Sequence, residues 1–189
     1  MTITKLFVVL YWVWTAAEFL LQVVTRTSRR SGTVRDGGSL PLLLVVIFAS
    51  IAAAFWFGNT HLYAMPAGMH WLRIVALILM LAGLSIRATA IATLGVSFST
   101  NVAIHATQTL NRTGLFRWVR HPSYTGMLLI FAAVGLFQRN WASLAIMLLF
   151  PAAALLYRIH VEERALTAAF GQEYVDYSGS TSRLIPGVY

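Results

Sequence analysis

The sequence predicts an all-α integral membrane protein, a bundle of about five transmembrane helices, and three observations predict it. The chain of 189 residues is 58% hydrophobic and only 11% charged, a balance that soluble domains rarely show. Its apolar runs approach the roughly 20 residues a helix needs to cross about 30 Å of hydrocarbon. Its arginines gather in alternate loops, as membrane topology requires. The length suits one compact bundle rather than two.

The spans are expected at 6–24, 40–57, 71–94, 122–137 and 141–157. The first is long and has no small-residue cleavage site before the arginine-rich loop, so it reads as a retained span rather than a signal peptide. Pro41 falls near the start of the second span, where proline is tolerated. The last two are short and joined only by Gln138, Arg139 and Asn140, the pattern of a tight helical hairpin, with Pro151 kinking its second arm. After Tyr157 the fifth helix continues as an amphipathic segment: Val161, Ala165, Leu166, Ala169 and Phe170 recur at helical spacing and Gly171 ends it. The closing Arg183-Leu184-Ile185-Pro186-Gly187 is apolar enough to fold back onto the protein.

Loop 25–39 carries Arg26, Arg29, Arg30 and Arg35, loop 95–121 carries Arg112, Arg117 and Arg120, and the tail carries Arg158, Arg164 and Arg183; Lys5 and Arg139 lie opposite. The positive-inside rule puts the N-terminus outside and the C-terminus in the cytoplasm. The net charge of +8 thus reads as topology, not nucleic-acid binding. Glu18, Arg73 and Arg87 fall within spans, where charge is costly. The two arginines lie near the ends of the third helix and are expected to snorkel, although a Glu18–Arg87 pair would also satisfy both.

Two polar clusters fall on the same face. In the first, Arg120-His121-Pro122-Ser123-Tyr124, proline is suited to the first position of the fourth helix and pushes His121 toward an extended conformation. Arg120 and His121 then flank free helical N–H groups, a setting that suits a carboxylate or phosphate. The plainer alternative is an arginine on lipid head groups beside an interfacial tyrosine. In the second, Arg158 and Glu162 are four apart and positioned for an ion pair, while Glu163 faces elsewhere. The two glutamates suit an ammonium or ribose hydroxyls, or simply a solvated helix. Absence of cysteine removes thiol chemistry, and the histidines lack metal-ligand spacing. His61, His70 and His105 have no chemical context. Neither a P-loop, a dinucleotide-binding glycine motif nor a Gly-x-Ser-x-Gly elbow occurs.

The run Gly114-Leu115-Phe116-Arg117-Trp118-Val119-Arg120-His121-Pro122-Ser123-Tyr124-Thr125-Gly126 resembles the Gly-x-Tyr-x-x-x-Arg-His-Pro-x-Tyr-x-Gly motif of isoprenylcysteine carboxyl methyltransferases. Arg158-Ile159-His160-Val161-Glu162-Glu163, then Leu166, Phe170-Gly171, Tyr174 and Tyr177, resembles that family's second motif, and Ile185-Pro186-Gly187 also fits. The resemblance covers 114–189 and is strongest to the small prokaryotic members. One departure is Phe116, where the family has tyrosine.

The resemblance implies methyl transfer from S-adenosylmethionine to a prenylcysteine carboxylate, with S-adenosylhomocysteine as product and the site at the cytoplasmic membrane face. It further implies that 96–189 bind the cofactor while 1–95 form the lipid-facing tunnel. Arg120, His121, Pro122, Tyr124, Gly126, Glu162, Glu163, Tyr174 and Tyr177 become the expected cofactor residues. Arg120, His121 and the helix start would take its carboxylate, Glu162 or Glu163 its ammonium or ribose, and the tyrosines would pack on adenine or sulfonium. Arg158 and Glu162 are the expected catalytic residues. Arg158, then Arg183, would orient the acceptor, a lipidic or prenylated acid drawn from among the membrane lipids. Other functions remain open: a phospholipid N-methyltransferase, with Glu18 or a cofactor-side glutamate as base; an NADPH-dependent enzyme like the sterol reductases; and a non-catalytic lipid-binding scaffold.

Overall fold

Each of the five apolar segments forms a helix. The computed structural model describes residues 2–25, 33–34, 36–100, 103–104 and 109–188; Arg26, Arg29, Arg30, Arg35 and His105 lie outside the described residues. The helices are α1 (Ile3–Val24), α2 (Ser39–Gly58), α3 (Leu72–Leu94), α4 (Pro122–Phe137), α5 (Trp141–Phe170) and α6 (Gln172–Ser180). α1, α2, α3 and α5 are long and apolar enough to span a membrane, whereas α4, with 16 residues, is shorter. α1 exposes Val9, Trp12, Phe19, Leu20 and Val23, a surface that only lipid solvates at low cost. The chain is an integral membrane protein.

The expected continuation of the fifth span is part of α5, which runs unbroken through Pro151 to Phe170. α6 was not expected as a separate helix; Gly171 ends α5 and its carbonyl accepts from Tyr174 N at 3.2 Å. A pairing of two residues per strand, β1 (Thr33–Val34) with β2 (Ala103–Ile104), joins the first arginine-rich loop to the long loop before α4. Both loops therefore meet on the face that carries the start of α4.

The core is Phe7, Trp14, Met80, Ile130, Phe131, Met147 and Leu155. α3 and α4 approach closely because glycines face one another. A Cβ on Gly126 would lie 2.7 Å from the Gly83 carbonyl oxygen and 2.9 Å from Arg87 N, contacts that small residues permit between membrane helices. The α4–α5 hairpin turns at Arg139, whose φ is 53°. Asn140 caps α5 by accepting from Ser143 N at 3.1 Å and donates to the carbonyls of Phe57 and Leu62 at 3.0 and 2.7 Å.

Arg87 does not snorkel. It is 7% exposed; its Nε and Nη2 donate to Glu18, the latter at 2.6 Å, and its Nη1 donates to Ser123 Oγ at 2.6 Å. Trp14 Nε1 donates to the same carboxylate at 3.1 Å. Pairing wins over snorkelling because the Gly83–Gly126 contact draws Arg87 inward against α4. Arg73 instead rests over the Phe137 ring at 5.7 Å.

Gly126→Ala is expected to destabilise the bundle by about 1–3 kcal/mol through overpacking. A lowered Tm in detergent would show it; a wild-type Tm would contradict the close approach.

Candidate active site at the start of α4

The first polar cluster folds as a short 3-10 turn, Gly114–Arg117, that leads into α4 with Pro122 at the first helical position. His121 has φ −122° and ψ 57°. Its ψ stops short of the extended region because its carbonyl turns to accept the amides of Tyr124 and Thr125 at 3.0 and 3.1 Å. The C-terminal tail folds back along this segment, as its apolar composition predicts. Arg120 N donates to Ser182 O at 2.8 Å, His121 N to Arg183 O at 3.0 Å, and Thr125 Oγ1 to Leu184 O at 2.7 Å.

The second cluster lies alongside, and its two glutamates part company. Glu163 is held by two arginines, Arg120 Nε at 3.0 Å and Arg183 Nε at 3.1 Å, with His121 Nε2 at 3.5 Å. Arg120 also donates through Nη1 to the carbonyl oxygens of Ser178, at 2.6 Å, and Thr181. Arg120, Glu163 and Arg183 thus form a clasp that binds the tail to α4 and α5. Glu162 is more open, its side chain 31% exposed against 14% for Glu163. It accepts from Tyr124 Oη at 2.7 Å, and that oxygen in turn accepts from Arg158 Nε at 3.0 Å. The expected Arg158–Glu162 contact is therefore bridged by a tyrosine from the other cluster. Arg158 spends its remaining donors on Asp36 Oδ1 at 2.9 Å, Ser39 Oγ at 3.1 Å and the Thr100 carbonyl.

These groups border an open cleft with about 930 Å³ of empty space, its solvent-facing mouth included. Arg120, His121, Pro122, Tyr124, Glu162, Tyr174 and Tyr177 line it; Gly126, Glu163, Arg158 and Arg183 do not. Gly126 instead serves the α3 contact. Sequence reasoning missed Asn111, Ser97, Phe98 and Ser99, which also line the cleft; they lie in the loop before α4, outside both motifs. It also missed Asp36, the single acidic residue in loop 25–39.

One lining group keeps a buried polar atom without a partner among the described residues, Tyr174 Oη; His121 Nε2 lies 3.5 Å from Glu163 Oε1. An orphaned buried polar atom is rare and costly, so the Tyr174 hydroxyl is poised for a ligand. Burial, with the nearby Glu163 charge, pushes the Tyr174 hydroxyl above its ordinary value. Burial pushes Tyr177 up to about 12 against the opposing charges of Arg120 and Arg112, and its hydroxyl donates to Phe116 O at 2.6 Å. Both phenols are neutral donors at physiological pH. The His121 and Tyr124 rings stack at 5.5 Å.

The profile of the isoprenylcysteine carboxyl methyltransferase (ICMT) family matches residues 75–168. Protein-S-isoprenylcysteine O-methyltransferase of Tribolium castaneum is 29% identical over 133 residues, 69% of this chain and 47% of that protein. The enzyme of the same name from Saccharomyces cerevisiae is 28% identical over 142 residues, 74% and 59% of the two chains. Methanethiol S-methyltransferase of Mycobacterium tuberculosis is 39% identical over 75 residues, 38% and 28%. The chain thus spans about half the length of the curated relatives it matches. Among solved structures, the eukaryotic intramembrane Ras methyltransferase ICMT superposes with a TM-score of 0.70 at 24% identity, over 98% of this chain and 67% of that one. That likeness shows the fold.

Removing the negative centre of the clasp leaves the buried Arg120 guanidinium without its counter-charge, a strongly destabilising change, while the more open Arg183 loses less. Glu163→Gln is therefore expected to release the tail, seen as faster proteolysis after residue 177. Wild-type protease resistance would contradict the clasp.

Proposed function

This chain belongs to the isoprenylcysteine carboxyl methyltransferase family, and from that premise we propose that it is an S-adenosylmethionine-dependent membrane methyltransferase that O-methylates a prenylated cysteine or similar lipidic acid. The observation that carries the proposal is one cleft lined by a carboxylate, Glu162, by the His121 imidazole and by Tyr174, whose buried hydroxyl has no partner among the described residues. The cofactor presents the matching set: a carboxylate, an ammonium and ribose hydroxyls. When bound it supplies an electrophilic methyl group, which passes to an acceptor oxygen and leaves a methyl ester and S-adenosylhomocysteine.

The chain's own residues bind and place. Glu162 takes the ammonium or ribose, because it lines the cleft while Glu163 is committed to the clasp. His121, Tyr174 and the Ser123 amide at the start of α4 take the carboxylate, and Arg120 borders them while holding the tail. Tyr177 and Tyr124 supply aromatic walls. A carboxylate acceptor is ionised at neutral pH, so no general base is required, and the gain comes from positioning and exclusion of water. Arg158 orients the acceptor behind Tyr124, with Arg183 remote from that role because it serves the clasp. Glu18, one of the two bases that an amine acceptor could call on, instead accepts hydrogen bonds from Arg87 and Trp14. The site lies on the arginine-rich, cytoplasmic face. Residues 96–189 hold the cofactor and the helices of 1–95 enclose the lipid.

Purified protein given methyl-labelled S-adenosylmethionine and N-acetyl-S-farnesylcysteine is expected to form a product that releases methanol in base, as an ester does. Glu162→Gln is expected to lose tenfold or more in kcat/KM, about 1.4 kcal/mol. A base-stable product formed only with a lipid amine would overturn the acceptor assignment.

A further inference from the structure

Arg158 is 3% exposed, and a buried guanidinium left without a counter-charge is strongly unfavourable. An acceptor carboxylate can neutralise it only while bound. Between turnovers Asp36 does so by direct contact, whereas Glu162 reaches Arg158 only across the Tyr124 hydroxyl. Its Oδ1 takes Arg158 Nη1 at 2.9 Å and the Ser39 hydroxyl at 3.0 Å, and its Oδ2 takes Leu40 N at 3.0 Å. A guanidinium, a hydroxyl and a helical N–H thus converge on one carboxylate. Tyr124 and Ser99 line the cleft directly beside this point: Tyr124 bonds Arg158, and the carbonyl of Thr100, next in the chain to Ser99, accepts from Arg158 Nη2. The Thr100 hydroxyl is buried and has no partner among the described residues. Asp36 is followed by Gly37 and Gly38, with φ of 55° and 81° and no heavy atom within 4 Å of where either Cβ would stand. The carboxylate therefore sits beside an unobstructed two-glycine joint.

The geometry points to Asp36 as an internal stand-in for the acceptor's carboxylate, so that Arg158, Ser39 Oγ–H and Leu40 N–H are the acceptor's binding groups. The inference rests on the methyltransferase reading and adds this subsite and its competitor to it. Asp36 swings out on Gly37–Gly38 as the acid enters. Esterification removes the acceptor's charge, and Asp36 then reclaims Arg158 and expels the neutral product. The apparent affinity for the acid is lowered by the fraction of protein in which Asp36 holds the site.

The test compares wild type with Asp36→Asn, which keeps a side chain suited to capping α2. The probes are N-acetyl-S-farnesylcysteine and its methyl ester, titrated calorimetrically without cofactor. The variant is expected to bind the acid about tenfold more tightly, as for a site nine-tenths occupied by its plug, with ester binding unchanged. Unchanged or weaker acid binding in a folded variant would overturn the inference and leave Asp36 as a structural cap. Should the variant fail to fold, hydrogen exchange in wild type decides. The acid, but not the ester, is expected to speed exchange at the Ser39 amide, which is bonded to the Asp36 carbonyl at 2.9 Å; equal protection with both overturns the inference. Wild-type methylation of the acid with no gain in the variant would sink this inference alone, whereas failure of wild type to methylate any acid would sink the functional reading.

Discussion

The ion cluster around Glu163 is the constraint on which the site depends. A single carboxylate on α5 meets Arg120 before α4, Arg183 in the tail and the imidazole of His121. Three chain segments distant in sequence are fixed at one point. The tail backbone then pairs with residues 118–121, and α6 closes over the cleft through Tyr174 and Tyr177. Without that negative centre, two partly buried arginines would repel one another and the aromatic wall would have no anchor. Glu162, one residue earlier, faces the cleft because its neighbour faces inward.

The acidic residues are few, and each is committed. Of the six in the chain, Glu18 lies on Arg87, Asp36 on Arg158, Glu163 on Arg120 and Arg183, and Glu173 on Arg112. Asp176 accepts from Gln172, and Glu162 from a tyrosine. The Glu18–Arg87 pair reaches the site through Ser123, which lines the cleft. It therefore fixes the start of α4 from the membrane side, while the clasp fixes it from the tail side. A helix start held from both sides is a rigid platform, and rigid placement is what transfer to an already ionised acceptor demands.

Much of this was legible in the sequence. Apolar run length marked all five spans, and Pro122 marked the start of α4, because both signals are local. The two motifs marked nearly the whole cleft wall on one side. What could not be read was long-range pairing. Nothing in the spacing of Glu162 and Glu163 tells which faces the cleft; Arg120, 43 positions away, decides it. Arg87 looked like a snorkelling residue because its partner lies 69 positions off. Gly126 sits within the family's motif, yet its reason is the backbone of α3. Asp36 carried the weakest signal of all, one acid among arginines, and its partner Arg158 lies 122 positions away.

The central claim is that the cleft bordered by His121, Glu162 and Tyr174 is a cofactor site. Calorimetric titration of S-adenosylhomocysteine into the detergent-purified protein, repeated with His121→Ala and Tyr174→Phe, tests it most directly. The expected result is saturable one-to-one binding that both substitutions weaken by about tenfold, near 1.4 kcal/mol each. Absence of binding by folded wild-type protein, or binding that neither substitution disturbs, would contradict it.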